Sequence, residues 1–328
     1  MMLKPRPSPF ALGATLYMPA THISILDIVR GQKHPGLKSV VLCLEDSLLS
    51  SHVEVGLANL RQITLALKVD PDRDGHPLIF VRPRSIDMAR KIAQWNDSVV
   101  FDGFVAPKAC PGGMTSWYDA VAGTDLLLMP TLETKEFFDP FGIRDFRDEV
   151  IGLGRDRVLA MRIGGNDLLA SLGLRRIAGM TLYDGPLASV VGNLTAQLGS
   201  AGFSLTAPVF EILDDAHTLS AELARDVAHG LVGKTAIHPC QLRPINAAFQ
   251  VSAADFEAAL RILEPVAAAV FKLNGAMCEP TTHRAWAEKI VARAEVQGIA
   301  NSRQSYLESE ISVMPEPVIY GGQLAIAR

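Results

Sequence analysis

The stretch that decides the fold runs from Arg157 to Leu169 and reads Arg-Val-Leu-Ala-Met-Arg-Ile-Gly-Gly-Asn-Asp-Leu-Leu. Its first half is a short apolar run with the length of a buried parallel strand, and two glycines end it. Asn166 and Asp167 are good helix-starting residues, and the apolar run after them ends at Gly173. A carboxylate just past a buried strand, beside glycines that let a ligand approach the backbone, suits a metal or oxyanion site. The alternative is that Asn166 or Asp167 only caps a helix.

The same alternation of short apolar strand and amphipathic helix repeats along the chain. Besides the opening stretch, strands are predicted at Leu12–Met18, Ser39–Leu44, Leu78–Val81, Gly103–Ala106, Leu126–Met129, Phe203–Leu205 and Gly233–Ile237. Helices are predicted at Ile23–Arg30, Val53–Leu67, Ile86–Trp95, Leu187–Leu198 and Ala216–His229. Eight such units over roughly 240 residues match the size of a (β/α)8 TIM barrel, an α/β fold. An open doubly wound sheet competes, but no GxGxxG follows an early strand.

Residues 1–250 are therefore predicted to form a TIM-barrel catalytic domain, and residues 251–328 a helical extension and arm. Additional C-terminal helices are predicted at Ala253–Val270 and Trp286–Ala294, with Asn274–Pro280 as a loop between them. Ser302–Arg328 is predicted either to be an arm that packs on the barrel or a neighbouring subunit, or to be poorly ordered.

Composition excludes several classes of protein. A hydrophobic content of 48% with 20% charged residues is typical of a well-buried globular chain and not of a disordered one. The net charge of −4 and the lack of a Lys/Arg-rich run argue against a nucleic-acid partner. No run approaches the ~18 apolar residues of a membrane span, and no signal-peptide pattern is present. The four cysteines form no CxxC pair, which indicates a reduced, cytoplasmic protein.

Charged residues fall immediately after the predicted strands. They are Glu45 and Asp46, Arg82, Lys108, Glu133, Asp167 and His238, on six different strands. In a barrel all six positions open onto the C-terminal face, where active sites are built. Each one taken singly could be an ordinary loop charge or a cap.

Glu133 and Asp167 follow consecutive strands and could approach one another closely. Two carboxylates in a small space repel unless a cation lies between them, and oxygen ligands with nearby water suit Mg²⁺. Arg82 could then hold a substrate carboxylate, or it could equally form only a salt bridge at the rim. The arrangement suits a metal-bound 2-keto acid that gains or loses a carbon–carbon bond. HExxH, GxSxG and GxxxxGK[ST] patterns are all absent from the sequence.

Eight short motifs follow one another along the chain: Leu16-Tyr17-Met18-Pro19, Leu44-Glu45-Asp46, Val81-Arg82, Pro107-Lys108, Glu133-Thr134, Gly164-Gly165-Asn166-Asp167-Leu168, Gly233–Pro239 and Pro244–Phe249. In this order they resemble the citrate lyase β-subunit-like family of Mg²⁺-dependent carbon–carbon bond lyases, in the class II aldolase superfamily.

The resemblance implies a role for each matching residue. Glu133 and Asp167 would be the Mg²⁺ ligands, and Arg82 would bind the keto-acid carboxylate. The substrate-binding set would also include Lys108 and the backbone N–H groups of Gly164, Gly165 and Asn166. Glu45 and Asp46 would lie near the metal-bound water, as catalytic candidates.

Relative to the family pattern, Phe137–Arg147 is interpreted as an insert. Two other departures bear on mechanism and partners. The loop Ala20–Ile23 lacks the arginine that relatives use with a thioester partner. Where relatives carry Met-x-Asp-x-Pro, this chain has Met277-Cys278-Glu279-Pro280, so Glu279 would have to serve as the acid/base in a neighbouring subunit's site. The resemblance implies a homotrimer or a multiple of three, the kind of assembly that a contribution from Glu279 would require. An acyl-CoA or acyl-carrier-protein thioester is less well supported than the keto acid. The alternatives are a CoA-independent aldolase for a small hydroxy-keto acid and a non-catalytic metabolite-binding member of a complex.

Overall fold

Eight short runs of buried residues form parallel strands that close into a barrel. Their bounds are Gly13–Pro19 (β1), Ser39–Cys43 (β2), Leu78–Arg82 (β3), Gly103–Ala109 (β4), Leu127–Leu132 (β5), Met161–Ile163 (β6), Leu205–Thr206 (β7) and Gly233–Ala236 (β8). Each strand pairs with the next from β1 to β7, and β8 pairs with β1. The computed structural model describes residues 6–69, 75–95 and 98–300, and the arm predicted at Ser302–Arg328 lies outside them. The predicted TIM barrel is confirmed.

The seam between β7 and β8 is the thinnest part of the barrel wall. An isolated bridge joins Ala207 to Lys234 there. The Ala207 N–H donates to the Gly233 carbonyl at 2.7 Å, and the Val232 N–H donates to the Leu205 carbonyl at 2.9 Å. These few backbone bonds complete the closed ring of strands.

Helices follow the strands and cover the outside of the barrel. They are Ile25–Val29 (α1), Val53–Lys68 (α2), Ile86–Ala93 (α3), Met114–Ala120 (α4), Pro140–Gly154 (α5), Gly165–Ser171 (α6), Leu187–Gly199 (α7), Ala216–Ala228 (α8) and Leu242–Ala248 (α9). Most of Phe137–Arg147, which is expected to be an insert relative to the family pattern, forms the first half of α5, and its status as an insert stays a prediction. Asp139 caps this helix by accepting the Phe141 N–H at 2.9 Å, and Pro140 occupies the first turn.

Alternation along the strands separates the barrel interior into an apolar layer and a polar layer. Val41, Phe80 and Met129 are completely buried in a cluster inside the barrel. Two residues further along β3 and β5 come Arg82 and Thr131, which face the same side because side chains alternate with a period of two. The polar layer therefore lies at the C-terminal ends of the strands.

A buried network of charges holds the long connection between β6 and β7 against α8 and β8. Arg176, from this connection, donates to Glu222 of α8 at 2.5 Å. Lys234 of β8 donates to Glu222 and to Asp226, both at 2.8 Å. The side chains of all four residues are at most 2% exposed. The connection is thus fixed by ion pairs that cross the outside of the β7–β8 seam.

The C-terminal extension contains two helices and a hairpin. Its elements are Val251–Ser252 (β9), Ala253–Leu263 (α10), Phe271–Leu273 (β10), Ala276–Cys278 (β11), Pro280–Gln297 (α11) and Ile299–Ala300 (β12). The helix predicted to reach Val270 therefore ends at Leu263. The loop predicted at Asn274–Pro280 is mostly the antiparallel β10–β11 hairpin, because Asn274 and Gly275 adopt the positive φ angles of a tight hairpin turn.

The extension packs on the barrel of its own chain. Gln297 of α11 donates to the carbonyls of Phe10 and Val232 at 3.0 and 2.9 Å. The division of the chain at residue 250 stays a prediction. Within the described ranges, every helix is too short or too polar to cross a membrane.

Candidate active site

A cavity of about 500 Å³ opens at the C-terminal ends of the strands. Seven of the ten predicted site residues line it: Asp46, Arg82, Glu133, Gly164, Gly165, Asn166 and Asp167. They come from the ends of β2, β3, β5 and β6, so the barrel brings together residues that are far apart in the sequence.

Glu133 sits against Gly164, in a space that only glycine leaves open. Glu133 follows β5 directly and is 4% exposed. A Cβ atom at Gly164 would lie 2.4 Å from the Cβ of Glu133 and 2.6 Å from its Oε2. On the other side, the Lys108 N–H donates to Glu133 Oε1 at 2.8 Å. Lys108 has a φ of 49°, which is uncommon outside glycine and typical of strained functional sites. The local backbone thus fixes the position of this carboxylate.

Glu133 and Asp167 face one cation. Asp167 lies in the first turn of α6, and its Oδ1 accepts a short hydrogen bond from Lys108 Nζ. The same Nζ is 3.8 Å from Glu133 Oε1. The two carboxylates therefore share a space that a positive charge occupies, as their mutual repulsion requires.

Arg82 forms ion pairs and also keeps a free donor. Its Nη2 is 2.8 Å from Glu45 Oε2 and 3.3 Å from both Asp46 Oδ2 and Glu133 Oε1. Its Nε is buried and has no hydrogen-bond partner among the described residues. Burial lowers the pKa of Arg82, but the neighbouring Tyr17, Glu133 and Glu45 side chains outweigh burial, so the pKa is raised. Both interpretations made from the sequence, a rim salt bridge and a ligand donor, are compatible with this geometry.

The cluster carries more negative than positive charge. Four carboxyl groups, those of Glu45, Asp46, Glu133 and Asp167, surround the two cations Arg82 and Lys108. Fully ionised, they leave an excess of two negative charges, which one divalent cation would neutralise.

The pKa of Glu133 reflects this environment. Burial raises the pKa of Glu133 to about 7, and the neighbouring Asp167 carboxylate adds to the rise. The charge of Arg82 and the hydrogen bond from the Lys108 N–H oppose it. A carboxyl group that is costly to ionise in the metal-free protein is one that a bound cation would stabilise as the carboxylate.

The chemistry of the donor set fits Mg²⁺ better than Zn²⁺. Across the described ranges, no group of three or more His, Cys, Asp and Glu side chains is arranged to hold a metal. Mg²⁺ is usually bound by one or two carboxylates and completes its octahedron with water and substrate oxygens. Glu133 and Asp167 match this requirement, and Zn²⁺ would need further nitrogen or sulfur ligands.

The other predicted residues take distinct positions. Glu45 accepts the Asp46 N–H at 3.0 Å, and burial followed by the hydrogen bond with Asp46 raises its pKa despite the charge of Arg82. Glu279 lies at the start of α11, in the extension, and accepts a hydrogen bond from the Thr282 hydroxyl at 2.9 Å. A role for Glu279 in a neighbouring subunit's site stays a prediction. His238 caps a short helix by accepting the Cys240 N–H at 3.3 Å, the ordinary role of such a residue.

Sequence reasoning missed Arg162, which lines the same cavity from β6. The side chain is 1% exposed, and Nη2 donates to Thr235 Oγ1 at 2.5 Å. The available signal was an arginine in the middle of an apolar strand, since arginine is almost never fully buried without a partner.

Comparisons with known proteins identify the family and the fold. The model of a family described as carbon–carbon bond lyases of the TIM-barrel fold matches residues 6–299. No curated protein matches the sequence.

Several solved structures share the fold. The CitE protein from Mycobacterium tuberculosis, in complex with magnesium, acetoacetate and coenzyme A, is 21% identical over 86% of this chain and 98% of that chain, with a TM-score of 0.62. RipC from Yersinia pestis is 19% identical over 76% and 99%, with a TM-score of 0.58. A citrate lyase from Burkholderia xenovorans is 16% identical over 88% and 93%, with a TM-score of 0.68. At these identities the likeness establishes a common fold.

Proposed function

This chain belongs to the family of carbon–carbon bond lyases of the TIM-barrel fold, and we propose that it is a Mg²⁺-dependent lyase or aldolase that makes or breaks a bond next to the carbonyl group of a 2-keto acid. The observation that carries the proposal is the pair of carboxylates, Glu133 and Asp167, that converge on one cation in the cavity. The family membership supports the reaction class, and the donor set supports the metal.

Glu133 and Asp167 would hold the ion, and Lys108 would have to leave its place between them. Bound Mg²⁺ would supply a Lewis acid for the keto oxygen and for the negative charge that develops when the carbon–carbon bond breaks. Arg82 lies beside Glu133 and orients the substrate carboxylate through its free Nε.

Asp46 is the proton-transfer candidate that this chain supplies to its own cavity. It lines the cavity, and its side chain is 60% exposed. Its contact with Arg82 Nη2, at 3.3 Å, places it beside the substrate-binding donor. Glu279 of a second copy is the other candidate, and it requires the proposed trimer or multiple of three.

Two forms of the substrate have support, an acyl thioester and a free acid. CitE from Mycobacterium tuberculosis was solved with coenzyme A, which supports an acyl-thioester adduct, carried on CoA or an acyl-carrier protein, as the substrate of this chain. The loop Ala20–Ile23, which lacks an arginine, supports a free hydroxy-keto acid instead. A turnover assay with acyl-CoA and with the free acid separates the two.

The four free cysteines support a reduced compartment, and we place the protein in the cytoplasm.

The test of the function removes one metal ligand and leaves the barrel intact. Asp167→Ala should lose Mg²⁺-dependent binding of oxaloacetate or pyruvate in calorimetry and keep the wild-type unfolding temperature within a few degrees, because the exposed pair with Lys108 contributes little stability. Asp145→Ala, at an exposed position on α5, removes the same group outside the cavity and should bind as the wild type does.

Two results would refute the proposal. One is wild-type-like Mg²⁺ and keto-acid binding by Asp167→Ala. The other is a crystal soaked with Mg²⁺ and oxaloacetate in which the ion binds elsewhere than between Glu133 and Asp167. Binding of both ligands without turnover of any acyl-CoA or free-acid substrate would favour a non-catalytic metabolite-binding role.

A further inference from the structure

Arg162 is a buried cation that faces the cavity and has no carboxylate partner among the described residues. No carboxylate in the described parts of the chain lies within ion-pairing distance of it, and its Nε has no hydrogen-bond partner there. Its contacts are the hydroxyl groups of Thr235, at 2.5 Å, and of Thr15, at 3.5 Å, and the side chain of Tyr17, which forms a hydrogen bond with it and whose ring lies 5.0 Å away. Hydroxyl groups and a ring do not neutralise a guanidinium.

Such a residue costs stability in the ligand-free protein. A buried charge without a paired carboxylate carries an uncompensated desolvation penalty, and burial accordingly lowers the pKa of Arg162. Groups of this kind are rare in folded proteins and are found where a ligand completes them. The desolvation penalty at Arg162 therefore indicates a position that favours an anion.

Two threonines beside Arg162 also have a buried polar atom without a hydrogen-bond partner among the described residues. Thr131 of β5 and Thr206 of β7 pair in register with Arg162, so the three side chains point to the same face of the sheet. The hydroxyl oxygens of both threonines are buried and have no partner among the described residues. Thr131 and Thr235 also line the cavity. We call Thr131, Arg162 and Thr235 the floor residues.

The floor and the metal-binding rim differ in charge. Arg82, at the rim, already pairs with three carboxylates, so its charge is largely neutralised. Arg162 keeps its full charge. A ligand that spans the cavity must therefore meet a cation-binding region at one end and an anion-binding group at the other.

We propose that the floor residues form a binding site for a second carboxylate of the substrate, and that Arg162 is the specificity-determining residue for it. The substrate class is then a 2-keto acid with a further carboxylate, a point that rests on the proposed lyase function. A carboxylate fits better than a phosphate, because the single guanidinium presents one positive charge, which balances the one negative charge of a carboxylate.

The experiment compares two kinds of keto acid in calorimetry with Mg²⁺ present. Pyruvate has one carboxylate, and 2-ketoglutarate and oxaloacetate have two. The wild type should bind the two dicarboxylates more tightly than pyruvate, and Arg162→Met should weaken their binding roughly ten- to hundredfold, the effect of losing a charge-assisted hydrogen bond. Pyruvate binding should be unchanged in Arg162→Met. Arg162→Lys, which keeps the charge but not the fork, should fall between the two.

A structural role for Arg162 would give different results. Arg144→Met on α5 makes the same change in net charge outside the cavity and serves as the control. The unfolding temperature of ligand-free Arg162→Met should equal or exceed that of the wild type. A lower unfolding temperature in both variants of Arg162, or an equal loss of pyruvate and dicarboxylate binding, would overturn the proposal.

A magnesium-free measurement separates this inference from the proposed function. Acetate, compared with chloride at the same ionic strength, should raise the unfolding temperature of the wild type and of Arg144→Met but not of Arg162→Met. If the wild type binds no keto acid with Mg²⁺ but passes this test, the lyase proposal fails and the anion site stands. If acetate stabilises all three proteins equally, the anion site is refuted whatever the keto-acid result.

Discussion

The close contact between Gly164 and Glu133 gives the sharpest prediction about the site. In Gly164→Ala, the added methyl group would lie 2.4 Å from the Cβ of Glu133 and 2.6 Å from its Oε2. The backbone angles of Gly164, φ −89° and ψ 76°, are not in the left-handed region. The substitution therefore acts through the contact alone and not through backbone strain.

The magnitude follows from this overlap. Carbon atoms in contact are about 3.5–4.0 Å apart, so Glu133 or the end of β6 must move by about 1 Å. Overpacking of this kind costs about 1–3 kcal/mol of unfolding free energy. A displacement of about 1 Å at a reacting centre can cost about 100-fold in rate. We expect Gly164→Ala to remain folded, to bind Mg²⁺ and keto acid at least tenfold more weakly, and to turn over about 100-fold more slowly.

The assay combines chemical denaturation, calorimetry with Mg²⁺ and a keto acid, and steady-state turnover. Gly192→Ala is the matched control, because Gly192 lies within α7 and an added Cβ meets nothing within 4 Å. It should gain about 0.5–1 kcal/mol of stability and keep full activity. In a Glu133→Ala background, Gly164→Ala should cause no further loss of Mg²⁺ binding. Unchanged Mg²⁺ affinity and turnover in the single variant Gly164→Ala would refute the reasoning.

Two further predictions concern stability. In the metal-free protein the pKa of Glu133 is about 7, against an ordinary value of 4.5, so the unfolded chain releases this proton at a lower pH than the folded chain does. The unfolding free energy should therefore fall by about 3 kcal/mol as the pH rises from about 4.5 to 7, and denaturation curves of Glu133→Gln should lack this loss. Parallel pH–stability curves for the two proteins would contradict the assignment. Lys234→Met removes the cation shared by Glu222 and Asp226 and should cost about 3–5 kcal/mol in chemical denaturation, whereas Lys91→Met, at an exposed position, should stay within about 0.5 kcal/mol. An equal effect of both lysine variants would show that the buried network adds no stability.

Most of the barrel was predictable because each strand is marked by a short apolar run in the local sequence. Residues 40–43 of β2 are apolar throughout, and strand positions fall within a few residues of the observed ones. The family resemblance is confirmed by the match over residues 6–299. The errors arose where local signals conflict. The start of α5 contains Pro140 and Gly142, which resemble loop residues, yet proline in the first turn is a helix start. The Asn274-Gly275 pair is typical of a hairpin turn, but a loop was predicted there.

The candidate site divides in the same way. Residues that follow a strand directly, such as Arg82 and Glu133, could be assigned to one rim because the closed sheet brings all strand ends together. Side-chain packing, which no periodicity in the sequence encodes, decides the other features of the site. They are the number of acidic groups around Arg82, the position of the Lys108 ammonium between two carboxylates and the pKa of Glu133. Arg162 was missed because the apolar residues around it dominate the strand pattern.

The pairing of β1 with β8 has a consequence for how the protein is made. Gly13 and Gly233 are partners in this ladder although about 220 residues separate them. At a synthesis rate of about 5–20 residues per second, the first strand emerges roughly 10–40 s before its partner exists. During that interval the backbone groups of the Gly13–Pro19 edge have no neighbour on one side, which is the condition that promotes association between nascent chains. A ribosome-bound fragment that ends before residue 233 should therefore depend on chaperones more strongly than the released chain does.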